Sequence, residues 1–197
     1  MVKKWARARS WRRKNKIYKN IGSYEFLKVK LEYNDVIKFP SQSGEVMFKS
    51  QAQQGAPNFV STDTLLNASH YWPTLTSLFA YYRVFGVSIE VIPGPCNTNG
   101  TLSITNIDPV YIAYNPGSNQ VMSMPVLRSF NGSIMLDATS RQRKYTTLYG
   151  GTADYKATTD TTAGGISVRS TTNGTQNDSP LWTLKLVLYV ILKRSRI

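Results

Sequence analysis

Side chains suited to covalent or acid–base chemistry are scarce in this chain of 197 residues, where His70 is the one histidine and Cys96 the one cysteine. Multi-histidine and cysteine-rich metal sites are therefore excluded, and Cys–His catalysis is open only if the two meet in space. His70 sits in NASHYWP, among aromatics, and reads as a packing or surface polar residue. Cys96 sits in PGPCNTNG, a turn, and reads as an incidental thiol. The glycine pairs of GGTADYK and AGGIS lack the spacing of a phosphate loop between strand and helix. The residues point to no enzyme, no metal ligand and no cofactor.

Chemistry of another kind is concentrated at the start, in MVKKWARARSWRRKNKIYKN. Lys3, Lys4, Arg7, Arg9, Arg12, Arg13, Lys14, Lys16 and Lys19 place nine cations there with no acid. The whole chain holds 24 Lys and Arg against 11 Asp and Glu, a net charge of +13; beyond residue 20 the balance is 15 against 11, or +4. So dense a block repels itself and buries little, which predicts an arm that is disordered when free. Cations beside phosphates release condensed counterions and bind any nucleic acid in a salt-sensitive way. Arginine forks hold phosphates bidentately, and Trp5, Trp11 and Tyr18 between the charges can stack on bases for about 1–3 kcal/mol each. The candidate nucleic-acid-binding residues are thus the nine cations with Trp5 and Trp11, in an arm spanning 1–22 ahead of a domain spanning 23–197. RRKNK at 12–16 also matches a basic signal of the kind nuclear import receptors read.

The domain that carries the arm shows strand periodicity nearly throughout. In FLKVKLEY, Leu27, Val29, Leu31 and Tyr33 fall on one face and Lys28, Lys30 and Glu32 on the other. Asn34-Asp35 is expected to interrupt this strand and Pro40 to end it. In VFGVSIEVIP, Phe85, Val87, Ile89 and Val91 alternate with Gly86, Ser88 and Glu90 up to Pro93. TLSIT, VYIAY, SIMLDA, KYTTLY and ISVRS are further short strands. The last, LWTLKLVLYVIL, sets Trp182, Leu184, Leu186, Leu188, Val190 and Leu192 on one face. One helical region starts at Ser61 or Thr62 and restarts at Pro73. The Thr-, Gly- and Asn-rich segment 150–177, apart from ISVRS, is expected to form exposed loops. These elements, without βαβ alternation, predict an all-β fold, a single eight-stranded antiparallel jelly roll. The length supports a core burying roughly 70% of the unfolded surface.

Other classes are poorly served. The basic start has no apolar h-region, and a lone cysteine forms no internal disulfide, so a soluble protein made inside the cell is expected. The run 181–192 contains Lys185 and is short of the roughly 20 residues that cross a bilayer. The Asn-x-Ser/Thr matches at Asn67, Asn99, Asn131, Asn173 and Asn177 then read as chance.

The stretch LFAYYRVFGVSIEVIPGPC, residues 78–96, resembles a pattern of small icosahedral viral capsid proteins. An aromatic helix leads there into Tyr-x-x-Tyr-Arg-Ile/Val, alternating Val and Ile, and a closing Pro. Tyr81, Tyr82, Arg83, Val84, Val87, Ile89, Val91 and Pro93 carry the match. The arm, this strand and the terminal LWTLKLVLYVILKRSRI, in that order, resemble the capsid proteins of circovirus-like, Rep-encoding single-stranded DNA viruses; capsids of small RNA viruses share the architecture. The arm departs from that pattern in mixing Lys with Arg, and the chain is short for the group. The resemblance implies two four-stranded sheets face to face, and a T=1 icosahedral shell of about 60 copies. It implies a single-stranded genome inside, DNA favoured over RNA, with the arm pointing inward, and residence in the virion and, during assembly, the host nucleus. The alternative is a non-assembling β-domain that binds nucleic acid without regard to sequence. Such a module should carry cations and aromatics on its folded surface, whereas in this chain they concentrate in the arm.

Overall fold

The most apolar stretch of the chain becomes its central strand, as it must to keep both edges and one whole face from water. β10 (Pro180–Lys193) lies between β1 (Phe26–Lys38) and β4 (Tyr81–Pro93), antiparallel to both. The computed structural model describes residues 26–39, 44–94, 109–136, 140–148, 155–171 and 180–194. The larger sheet runs β2 (Met47–Phe48), β1, β10, β4, β7 (Gln142–Thr147), and β8 (Lys156–Ala157) pairs with the start of β4. The smaller runs β3 (Phe59–Ser61), β9 (Gly165–Ser170), β5 (Val110–Asn115), β6 (Ile134–Leu136). Among the described residues, and without the two-residue β2 and β8, four strands remain in each sheet, and the chain passes repeatedly between sheets. First and last strands pair at the centre, and the result is an eight-stranded jelly roll.

The inner faces make one core. Trp182, Leu184, Leu186, Leu188, Val190 and Leu192 are all at most 1% exposed, as the alternation of β10 predicts. They join Leu31, Tyr33 and Ile37 of β1 and Tyr82, Val84, Val87, Ile89 and Val91 of β4. Val60, Val110, Ile112, Tyr114, Ile134, Leu136, Ile166 and Val168 of the smaller sheet face them. At about 25 cal/mol per Å2 of apolar area, these side chains are the main source of stability.

Four expectations are corrected. β1 runs unbroken through Asn34 and Asp35, which pair with Lys185 and Leu184. Asp35 survives there because its carboxylate accepts from the Tyr33 hydroxyl (2.7 Å), the Ser50 hydroxyl (2.6 Å) and the amides of Val36 and Ser50. Phe85 does not share the face of Val87: the β4–β10 register slips at Tyr189/Val190, and this bulge turns Phe85 outward, where its ring meets Tyr189. The helical region forms with its restart as expected, as α1 (Thr62–Asn67), capped by Ser61, and α2 (Trp72–Leu78), with Pro73 in its first turn; the correction is a further helix outside it. A third, α3 (Met124–Ser129), begins at the start signal Ser123-Met124-Pro125. Finally, segment 150–177 is not all exposed loop. Thr161 is exposed, but Thr162 and Gly164 are buried, and the Thr162 amide donates to the Asp63 carboxylate at 2.9 Å. The strand expected at TLSIT lies outside the described residues.

The two sheets differ on their outer faces. The smaller one is covered: α3 packs Leu127 against Ala113 and Met122. The Met122 amide donates to Ser167 Oγ and its carbonyl accepts from Arg169. The larger one is exposed along Lys28, Lys30 and Glu32 of β1 and at Tyr145 of β7, while Ile191, Val187, Ser88 and Glu90 at its centre are buried.

Candidate nucleic-acid interface

The predicted site residues, Lys3, Lys4, Trp5, Arg7, Arg9, Trp11, Arg12, Arg13, Lys14, Lys16 and Lys19, all lie outside the described residues, and so do Cys96 and the 22/23 boundary. What is placed is the surface they lead into. β1 begins at Phe26, paired with Lys193 at the end of β10, so the two ends of the chain leave the large sheet side by side.

Paired residues in an antiparallel ladder share a face, so the register sorts the open face into rows. Nearest the arm are Phe26, Lys193 and Tyr81; then Lys28, Ile191 and Arg83; then Lys30, Tyr189 and Gly86. Rings and cations interleave there. Lys193 Nζ stands 5.8 Å from the Phe26 ring centroid and 5.6 Å from that of Tyr155, and the Arg83 guanidinium is 5.3 Å from the same tyrosine. Lys28 lies 5.9 Å over Phe85 and Lys30 5.4 Å over Tyr189. The next rows carry acids, each with a cation: Glu32 pairs with Lys185 at 2.9 Å and Glu90 with Arg141. Of these positions the sequence alternation marks Lys28, Lys30 and Glu32 on β1 and Gly86 and Glu90 on β4. Arg83, Tyr155 and Lys193 come together from distant strands, and no local signal announces their meeting.

His70 is exposed, its ring edge-on to Tyr71 at 5.8 Å. Among the described residues, no three His, Cys, Asp or Glu side chains group as metal ligands, and no helix is long and apolar enough to cross a membrane. A cleft of about 180 Å3 is lined by Asp63, Trp72, Tyr82 and the loop 158–161. Asp160 of that loop also lines it, and the Asp63 carboxylate is engaged by the Thr162 amide, so the cleft marks where the loop docks on α1. Among the described residues, burial raises three phenols above the ordinary tyrosine value. Burial pushes Tyr114 up to about 12, against the partial relief of its 2.8 Å hydrogen bond with Thr62; burial also raises Tyr33 and Tyr82.

No protein-family model matches the chain, and no curated protein matches its sequence. Solved structures do. The structure of Cocksfoot mottle virus aligns with a TM-score of 0.56 at 10% identity, covering 91% of this chain and 88% of that one. Mud crab tombus-like virus aligns at 0.54, with 11% identity over 91% of this chain and 86% of the other. The semi-empty VLP of the giant freshwater prawn Macrobrachium rosenbergii nodavirus aligns at 0.53, with 10% identity over 89% and 98%. At such identities the likeness speaks for the fold, the jelly roll of viral capsids.

Proposed function

We propose that this chain is a viral capsid protein that assembles into a small icosahedral shell and packages a single-stranded genome through the basic arm of residues 1–22. The observation that carries the reading is a jelly roll matched over about nine-tenths of the chain by virus and virus-like particle structures, joined to a nine-cation arm. A single domain of this kind with an arm at one end of its sheet has the parts a shell needs, a rigid wall and a tether to its contents. The resemblance of residues 78–96 favours a circovirus-like capsid, hence DNA over RNA, a T=1 shell of about 60 copies, and passage through the host nucleus on the RRKNK signal.

Negative-stain microscopy of the purified protein tests the shell: uniform particles are expected, and a monomer that binds nucleic acid would instead establish the non-assembling module. Deleting residues 2–19 tests the arm. Most co-purifying nucleic acid should be lost while the far-ultraviolet spectrum of the β-domain is kept. Nucleic acid at wild-type levels in the deletion variant would overturn that role.

A further inference from the structure

We propose that the arm-side half of the large sheet's open face is itself a binding platform for single-stranded nucleic acid, resting on the packaging role above and extending it from the arm to the folded wall.

The charge distribution across the face is polarised. The three rows next to the arm hold Lys28, Lys30, Arg83 and Lys193 and contain no carboxylate. In the rows beyond, Lys185, Arg141 and Arg143 stand among Glu32 and Glu90, so acids and cations are mixed there. Ordinary solubility would distribute acids over the whole face, as it does over the far half. A one-signed field confined to the end where a nine-cation arm attaches complements a polyanion already held by that arm.

The chemistry selects the kind of polyanion. Lys28 and Lys30 are exposed, two residues apart on one strand, so they stand about 7 Å apart on one face. That spacing suits successive phosphates of an extended strand. Phe26 is 45% exposed and Tyr81 39%, with Tyr155, Phe85 and Tyr189 beside them. Bases can stack on such rings for about 1–3 kcal/mol each, but only if they are unpaired. A duplex would present phosphates alone and leave the rings unused. The exposed side chains of this face, Phe26, Lys28, Lys30 and Tyr81, lie along strands β1 and β4, where a flexible strand can be laid across them. A cation over a ring is also not locked there: at an exposed site the attraction is about 0.5–1 kcal/mol, so a lysine can yield its ring to a base and turn to a phosphate. The small sheet offers less: α3 and the Met122 backbone cover part of it, and a cation meets a ring there where Arg128 lies 5.8 Å from Tyr111.

The test compares the full-length protein with its Lys28→Ala/Lys30→Ala/Lys193→Ala variant, titrated with labelled oligo(dT) over a range of salt. Each phosphate contact on a single strand contributes about 0.7 to the slope of log K against log salt, so the triple variant should lose about 2 from the slope. The matching Lys→Arg triple should retain it. Ultraviolet cross-linking of the same complexes, mapped by mass spectrometry, should place cross-links at Phe85, Tyr155 or Tyr189 as well as in the arm. An unchanged slope with cross-links confined to residues 1–25 overturns the platform and leaves the packaging reading standing. A wild-type protein that binds no oligo(dT) overturns both. A triple variant that binds normally but fails to form particles also overturns the platform, and makes this face a contact between copies of the chain.

Discussion

Leu186→Asp should unfold the subunit, while Lys185→Ala, one residue away, should leave it intact. Leu186 is fully buried, between Tyr33 of β1 and Ile89 of β4. Removing its side chain forfeits about 2–5 kcal/mol in transfer and cavity terms. Placing an unpaired carboxylate in the same space adds several kcal/mol more, or forces protonation at similar cost. The sum reaches the roughly 5–15 kcal/mol that holds a typical domain together. Lys185 points the other way, to the open face, where its 2.9 Å pair with Glu32 joins side chains that are 39% and 53% exposed. Such a pair contributes about 0–1 kcal/mol. Far-ultraviolet circular dichroism and urea titration of the two variants read the difference directly. A Leu186→Asp protein with the wild-type midpoint, or a Lys185→Ala protein without a cooperative transition, would show that the phase of β10, and the sandwich built on it, is wrong.

Gly164→Ala should lower stability by roughly 1–3 kcal/mol, because Gly164 has φ +109° and an added Cβ would sit 2.7 Å from the Asn115 carbonyl oxygen; a urea midpoint equal to wild type would contradict the turn into β9. Thr161→Asp should leave the monomer folded, since Thr161 is exposed, so sedimentation should show any defect in assembly alone and dichroism none. Stability should fall as pH rises above 10. The unfolded chain's phenols ionise at about 10, while Tyr114 holds its proton to about 12 and Tyr33 and Tyr82 are also raised. Their contribution is complete below the unfolded value and is lost as pH climbs towards the folded ones, by up to about 1.4 kcal/mol per group and pH unit. Denaturation midpoints that stay level between pH 9 and 11 would refute this.

Strict alternation made the sandwich legible. Trp182 to Leu192 and Leu31 to Tyr33 need only a period of two to declare their inner face, and they occupy it. Where a side chain's fate depends on a distant partner, the pattern misleads. Asp35 reads as a breaker because it is charged, yet Ser50, fifteen residues on, supplies the partners that let it stay in the ladder. Thr162 reads as loop because its neighbours are polar, yet it is buried where its amide meets Asp63. The arm was fully legible as charge, being local composition. The meeting of cations on the folded face was not, because Lys28, Arg83 and Lys193 are brought together only by pairing across β1, β10 and β4.

The bulge in β4 joins fold to surface. Tyr82 and Val84 point inward, and so do Val87, Ile89 and Val91, but the gap from Val84 to Val87 is three residues rather than two. An unbroken ladder would put one of these sets out in water; the slip at Phe85–Gly86 puts both in the core and leaves Phe85 over on the open face. Gly86 then stands where a side chain would obstruct: a Cβ there would meet the Tyr145 hydroxyl oxygen at 2.5 Å. Its φ is not positive, so what the position requires is the absence of a side chain rather than the glycine backbone. With that space open, Tyr145 lies across the strand at 5.2 Å and 90° to Tyr189, which meets Phe85 in turn. The irregularity that keeps the core of β4 continuous is thus also what assembles three rings, with Lys28 and Lys30 over two of them, on the outer face of the large sheet.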